Sequence, residues 1–172
     1  MSMFLTNLAA DGPHPDLADD LMDFGQFVGT WAMAVRFYDG GKVIFDRPGT
    51  WTFGWVLDGR AVQDVLTYPT SSDSDDTPGR RGIGTTLRYF HPELRRWQVY
   101  WLGAGSGTIV VLHGGWNGDD LELHSEPEPD GTFNIWRFSD ITPTSFEWTG
   151  HESTDGGVTW HLRQEMTAIC LS

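Results

Sequence analysis

The sequence of 172 residues contains a single cysteine, Cys170, so no disulfide can form within the chain. No apolar run approaches the ~18 residues that span a bilayer, and the N-terminus lacks the basic and apolar regions of a signal peptide. Basic residues are also scarce, and 11 of them against 24 acidic residues give a formal net charge of −13. Phosphate backbones and anionic lipids repel such a chain. We therefore expect a cytoplasmic protein with neither a nucleic-acid nor a membrane partner.

The chain is rich in aromatic residues and glycine instead. It has 9 Trp and 10 Phe, and its length suits one domain with a sizeable core but not two. Its 21 Gly and 9 Pro separate short apolar runs, as turns between strands do. Residues 69–82 carry acidic and then basic residues, and we interpret them as a surface loop. No repeat of 20–50 residues is present, which argues against a propeller or solenoid.

Only one segment has the periodicity of a helix, residues 16–28. Four apolar residues recur there at helical spacing: Leu17, Leu21, Phe24 and Val28. Pro15 and Asp16 are start signals and Gly29 is a stop signal. We expect an N-terminal tail at residues 1–15 and one domain over residues 16–172.

After the helix, apolar and polar residues alternate with a period of two almost to Ala168. This pattern predicts about ten sequential antiparallel strands joined by short turns. A meander of that many strands tends to close, because closure removes exposed edges. We therefore predict an all-β fold, a single up-and-down antiparallel β-barrel of about ten strands with one N-terminal lid helix. Such a barrel leaves room for side chains and one small ligand.

The strands can be paired by requiring that apolar residues share a face. Asp58-Gly59 predicts a two-residue turn. The flanking strands then pair Trp51 with Leu66, Phe53 with Asp64 and Trp55 with Val62. In the next hairpin the rule pairs Tyr89 with Trp97 and points Arg88 outward. In two later hairpins it pairs Trp148 with Trp136 and with Gln164, and places all three inside.

The stretch "STDGGVTW", Ser153 to Trp160, has the spacing of the Asp-box of sialidases. It occurs once, in a chain too short for a propeller. A hairpin explains it, because Asp155 can bond to nearby backbone and either Gly156 or Gly157 can adopt the left-handed conformation of a bulged turn. We interpret it as a structural turn and not as part of a sugar-cleaving site.

A family resemblance rests on "FVGTW" at the end of the helix and on "LDGRAVQD", "GTTLRYFHPELRRWQVYW" and "STDGGVTW" in that order. Together these blocks, from Phe24 to Met166, resemble uncharacterised bacterial members of the lipocalin-like calycin β-barrels. The resemblance implies a closed barrel, often with a ligand cavity. It implies no single activity, because calycins include carriers, haem-binding barrels and a few cyclases.

Histidines decide whether a metal or haem is expected. Haem-binding barrels of the nitrobindin type resemble this chain in the Gly-Thr-Trp start and hold iron with a histidine. Here the late-strand histidines, His151 and His161, fall on the outer face, so we expect no haem and no other cofactor. His113 and His124 lie opposite each other beside Glu122 and could bind zinc. Leucines occupy the inner face of that hairpin, so we expect a solvated pair and no metal.

A pocket lined by aromatic residues with a few polar groups is the usual design of a small-molecule site. The predicted inward residues that would line it are Trp51, Phe53, Trp55, Asp64, Tyr68, Tyr89, Trp101, Asn134, Trp136, Trp148 and Gln164. The leading hypothesis is therefore a monomer or homodimer that binds a small, largely apolar or aromatic molecule.

Two alternatives remain open. Asp64 would lie between Trp and Phe side chains, and loss of hydration should raise its pKa from the usual ~4. A cofactor-independent cyclase or isomerase could use it as general acid or base, unless backbone amides or a tyrosine satisfy the carboxylate. Alternatively, the aromatic rings fill the interior completely, and the chain is a structural or interaction domain that binds no ligand.

Overall fold

The computed structural model describes residues 1–70 and 78–172. Of the surface loop predicted at residues 69–82, residues 71–77 therefore lie outside the described part. Two helices and a short strand come first: α1 (Met3–Leu8), β1 (Ala9–Ala10) and, after a 3₁₀ turn at Pro15–Leu17, α2 (Ala18–Gly25). Ten strands follow: β2 (Gly29–Asp39), β3 (Lys42–Val56), β4 (Ala61–Pro69), β5 (Arg81–His91), β6 (Arg96–Gly103), β7 (Thr108–Asn117), β8 (Asp120–Ser125), β9 (Phe133–Ser139), β10 (Ser145–Ser153) and β11 (His161–Cys170).

These ten strands form a closed antiparallel barrel. Each strand from β2 to β10 pairs with the next one in sequence, and β11 returns to pair with β2, where Met166 lies opposite Val35. The short strand β1 adds to the end of β3. The predicted all-β, up-and-down barrel with an N-terminal helix is confirmed. Within the described residues, no helix has the length and hydropathy needed to cross a membrane.

Helix α2 closes one end of the barrel. It is shorter than the predicted helix 16–28, because its first turn is 3₁₀ and the chain leaves the helix after Gly25. Phe24 projects into the barrel, where its ring lies 4.9 Å from that of Trp97. The carboxylate of Asp23 accepts hydrogen bonds from the indole nitrogens of Trp97 (3.0 Å) and Trp116 (2.9 Å). The predicted tail at residues 1–15 contains α1 and β1.

The predicted pairing across Asp58-Gly59 is confirmed at all three positions: Trp51 lies opposite Leu66, Phe53 opposite Asp64 and Trp55 opposite Val62. Two later pairings are shifted by two residues. Trp136 and Gln164 were both predicted to lie opposite Trp148, but both lie opposite Gly150. A shift of two leaves every side chain on its predicted face. The inward orientation of Trp136, Trp148 and Gln164 is therefore unaffected.

The predicted register of the β5–β6 hairpin is wrong by one residue, which reverses the faces of β5 but leaves Trp97 and Val99 of β6 inside, as predicted. Phe90 lies opposite Trp97, and Arg88 lies opposite Val99. Arg88 therefore points into the barrel and is 1% exposed, whereas Tyr89 lies on the outer face and is 39% exposed. The apolar side chains of Leu87 and Tyr89 favoured the wrong face of β5 as the inner one.

The Asp-box segment forms the β10–β11 turn, as the structural interpretation predicted. The Asp155 carboxylate accepts hydrogen bonds from the backbone nitrogens of Val158 (3.1 Å) and Thr159 (2.9 Å) and from the Thr159 hydroxyl (2.5 Å). Bonds from Thr159 first, and then from Ser153, hold the pKa of Asp155 well below its usual value. Gly156 and the residue after it both have positive φ angles, +76° and +87°.

Candidate functional site

The middle of the barrel is filled around a buried ion pair. The Asp64 carboxylate accepts a hydrogen bond from the guanidinium of Arg88 and another from the backbone nitrogen of Thr86 (3.0 Å). The guanidinium carbon of Arg88 lies 5.2 Å from the ring centres of both Phe24 and Phe53. Both charged side chains are fully enclosed. Asp64 is therefore paired with a cation, and the isolated carboxylate expected from the sequence is not observed.

Arg88 is the main residue that sequence reasoning missed. A buried carboxylate needs a partner, and the strand next to Asp64 offers a cation only if Arg88 faces inward. This requirement would have selected the observed β5–β6 register over the one favoured by Leu87 and Tyr89.

A cavity of about 260 Å³ lies beyond this ion pair, toward the barrel end away from α2. Its wall consists of Phe37, Trp51, Leu66, Tyr68, Thr86, Trp101, Ser106, Thr108, Val110, Asn134, Trp136, Trp148, Gly150, His151, Glu152, Arg163, Gln164 and Met166. The interior is therefore not completely filled by aromatic rings. The volume is just below the usual range of small-molecule sites, ~300–1,000 Å³.

The innermost wall of the cavity, which we call the floor, consists of its six most buried side chains: Trp51, Leu66, Thr86, Val110, Trp148 and Met166. Four indoles follow one another from the rim to this floor. The ring centres of Trp101 and Trp136 are 6.1 Å apart, those of Trp136 and Trp148 are 5.5 Å apart, and those of Trp148 and Trp51 are 6.3 Å apart. Their planes meet at 65–84°, the edge-to-face geometry that aromatic pairs favour.

Glycines make room for these rings. A Cβ atom on Gly84 would lie 2.1 Å from the ring of Trp101, and one on Gly150 would lie 2.7 Å from the ring of Trp148. The rings of Trp101 and Trp148 can therefore pack against these strands only because the strands carry glycine at the points of contact.

The indole nitrogen of Trp51 is buried and has no hydrogen-bond partner among the described residues. Other tryptophans differ in this respect. The indole nitrogen of Trp31 donates to the carbonyl of Phe27 (2.7 Å), and that of Trp97 donates to Asp23 (3.0 Å). Trp51 therefore carries a buried N–H donor that the described part of the protein leaves without a partner.

The rim of the cavity carries polar side chains whose charges largely cancel. Arg163 lies 3.9 Å from the Glu152 carboxylate and 3.3 Å from that of Asp39. His151 was predicted to lie outside, but the bulge that follows Gly150 brings it to the rim. Burial and, secondarily, Arg137 lower the pKa of His151, which favours the neutral imidazole. Burial also raises the pKa of Tyr68 on the opposite wall, which favours the neutral phenol.

The histidines of β7 and β8 lie where the sequence placed them, with His113 opposite His124. Glu122 accepts hydrogen bonds from His124 (2.7 Å) and Arg137 (2.6 Å), so its carboxylate is already engaged. Across residues 1–70 and 78–172, no group of three or more His, Cys, Asp or Glu residues is arranged to hold a metal ion.

The structure brings together seven of the eleven residues predicted for the site: Trp51, Tyr68, Trp101, Asn134, Trp136, Trp148 and Gln164. The other four do not line the cavity. Phe53 and Asp64 belong to the filled middle of the barrel. Trp55 packs against Gly25 at the helix end, and Tyr89 is outside. Rim residues such as Arg163 were missed, because alternation alone does not reveal which outward residues lie at the barrel mouth.

No known protein family matches the chain, and no curated protein is similar to it. Among solved structures, it is similar to a redesigned β-barrel with 13% identity over 86% of this chain and 93% of that one, at a TM-score of 0.42. It is also similar to EF1p2_mFAP2b bound to DFHBI, with 15% identity over 86% and 94% of the two chains and a TM-score of 0.39. Similarities of this degree carry no conclusion about function.

Proposed function

We propose that this protein binds a small, largely apolar or aromatic molecule in the cavity at the barrel end away from α2. The observation that carries the proposal is an unfilled cavity of about 260 Å³ whose wall holds four tryptophans and presents more apolar than polar surface. Burying apolar ligand surface there contributes roughly 25 cal/mol per Å². Edge-to-face contacts with the indoles would add to this and favour a flat ligand.

The electrostatics of the cavity support a ligand without net charge. Arg163 is matched by Glu152 at the rim, and burial favours the neutral form of His151 by lowering its pKa. The resemblance to calycin barrels is in keeping with this proposal, since carriers occur among them. The acid–base alternative has no support from the geometry, because Asp64 is paired with Arg88 and does not line the cavity.

The proposal can be tested with N-phenyl-1-naphthylamine, a neutral aromatic probe that fluoresces in apolar surroundings. A pair of variants on β7 provides the test and its control. Val110→Phe places a ring inside the cavity, whereas Ile109→Phe adds the same ring at the neighbouring position, which is exposed on the outer face.

We expect the wild type and Ile109→Phe to bind the probe with equal affinity, and Val110→Phe to bind it at least tenfold more weakly. Circular dichroism would check that both variants keep the fold. The proposal is wrong if the wild type does not bind the probe, or if the two variants bind it equally well.

A further inference from the structure

Among the described residues, the middle of the outer face of strands β4 to β7 carries no charged side chain. Two rows of outward residues cross all four strands: Val65, Thr85, Leu102 and Ile109 in one row, and Gln63, Leu87, Tyr100 and Val111 in the other. Ile83 and Tyr89 extend these rows toward the two ends of β5. We call these residues the uncharged face. Charged residues make up 20% of the chain, so a surface of this size without any is unusual for it.

The uncharged face also exposes large apolar side chains. Six of them are between 37% and 63% exposed: Val65, Ile83, Tyr89, Tyr100, Leu102 and Ile109. Around β2 and β11, on another side of the barrel, charged residues pair with each other instead, since Arg36 lies 3.1 Å from Asp46 and 3.3 Å from Glu165. Contiguous apolar patches on soluble proteins mark interaction surfaces. One side of the barrel is therefore built for water and another for a partner.

The polar side chains of this region are already hydrogen-bonded within the chain. Gln63 donates to the Thr85 hydroxyl (3.0 Å), which donates to the backbone oxygen of Asp64 (2.5 Å). Gln98, at the edge of the uncharged face, donates to the carbonyl of Leu112 (3.1 Å). Removing water from a polar group is costly chiefly when the group is left without a hydrogen bond. The uncharged face can therefore be covered with little loss of hydrogen bonding.

We propose that the uncharged face binds the same face of a second copy of this chain, so that the protein forms a dimer with two-fold symmetry. A net charge of −13 makes two copies repel each other, and the repulsion is smallest where neither surface carries a charge. A two-fold interface places the same surface on both partners, so it requires a surface that brings no like charges together. The two sheets would pack face to face, about 10 Å apart.

The size of the uncharged face fits such a dimer. Four strands ~4.8 Å apart, over the ~20 Å of β5 between Ile83 and Tyr89, give it an area of about 400 Å². Because about 65% of a homodimer interface is apolar, two such faces and their polar rims would bury about 1,200 Å² in total. This is the lower limit of the range found for stable interfaces. We therefore expect the dimer to dissociate at micromolar concentrations.

Sedimentation velocity of the full chain at about 1 to 100 µM tests the proposal, because this range spans a micromolar dissociation constant. We expect the sedimentation coefficient to rise with concentration from that of a monomer to that of a dimer. Higher salt concentrations should strengthen the dimer, because salt screens the repulsion between two acidic chains.

Two matched variants locate the interface. Leu102→Lys places an ammonium group within the uncharged face, between Thr85 and Ile109. Ile169→Lys places the same group at a 53% exposed position on β11, the strand directly across the barrel from β6. Both variants make the chain less acidic, so a general effect of charge would strengthen both dimers. We expect Leu102→Lys to weaken the dimer about tenfold or more, because it buries an unpaired charge, and Ile169→Lys to leave it unchanged.

Circular dichroism would check that both variants keep the fold. If Leu102→Lys does not fold, Ile109→Lys provides the same test, since that side chain is 63% exposed. The inference is overturned if the wild type stays monomeric at every concentration, if the lysine in the uncharged face leaves the dimer intact, or if Ile169→Lys weakens it equally. It is also overturned if species larger than a dimer accumulate, because a two-fold interface is complete once two copies have met.

Discussion

Removing one member of the Asp64–Arg88 pair should destabilise the barrel strongly, whereas removing both should not. Both side chains are at most 1% exposed, so water cannot replace a lost partner. In Asp64→Leu the guanidinium stays buried without its counter-ion, which costs about 3–5 kcal/mol. The aromatic rings around Arg88, with centres 5.2–6.0 Å away, offset part of that cost. The expected loss is therefore near the lower end of this range.

The expected change in melting temperature follows from the size of the chain. At the usual ~2.1 cal/mol/K per residue, 172 residues give an unfolding entropy of about 0.36 kcal/mol/K. A loss of about 3 kcal/mol then lowers Tm by about 8 °C. Arg88→Met leaves the carboxylate unpaired without any compensating ring contacts and should lower Tm by up to about 14 °C.

Differential scanning calorimetry of the two single variants and the double variant measures the coupling between the residues. The double variant, Asp64→Leu with Arg88→Met, should be more stable than either single variant, because no uncompensated charge remains. Asp20→Ala is the control, since it breaks an ion pair to Arg95, whose side chain is 65% exposed. It should cost at most about 1 kcal/mol. This reasoning would be refuted if Asp64→Leu lowered Tm by less than about 3 °C. It would also be refuted if the double variant were less stable than both single variants.

Three further predictions concern the cavity wall, the lid and the last hairpin. Gly84→Ala should displace the ring of Trp101, cost about 1–3 kcal/mol in urea unfolding and weaken binding of the naphthylamine probe; Gly54→Ala, where a Cβ meets no atom within 4 Å, should do neither. Asp23→Ala should cost about 1–3 kcal/mol, because it leaves a buried indole without an acceptor; unchanged near-UV circular dichroism and Tm would contradict this. The pKa of Asp155 is lower in the folded than in the unfolded state, so its contribution to stability is present above pH ~4 and is lost as the pH falls further. The difference in Tm between wild type and Asp155→Asn should therefore shrink steadily below pH 4, and a constant difference would show that the carboxylate charge is not involved.

The barrel itself could be predicted from the sequence, because each of its determinants is local. Alternation with a period of two sets the strand faces, and glycine-containing turns such as Asp58-Gly59 set where the strands reverse. The pairing of Trp51 with Leu66 followed from these two rules alone. Closure followed in turn, since a meander of ten strands would otherwise leave two edges exposed.

The site was predictable only in part. Which strand face points inward depends on the register of each hairpin, and which inward residues line the cavity depends on neighbours distant in sequence. Trp136 and Trp148 were placed inside despite a shift of two residues, since such a shift preserves the face. A shift of one residue in β5–β6 put Arg88 inside the barrel in place of Tyr89. The prediction therefore missed the partner of Asp64. Nothing within the β5–β6 hairpin distinguishes these two registers, and only the Asp64 carboxylate on the neighbouring strand favours the observed one.

The sequence by itself therefore determined the architecture and the aromatic character of the interior. Only the tertiary structure decided which inward residues fill the middle of the barrel and which surround a cavity. Phe53 and Trp51 lie two residues apart on the same face of β3. Phe53 nevertheless packs in the filled middle of the barrel, whereas Trp51 lines the cavity. The reason is physical: helix α2 and the Arg88 guanidinium fill the barrel from one end, and among residues 1–70 and 78–172 no element enters it from the other.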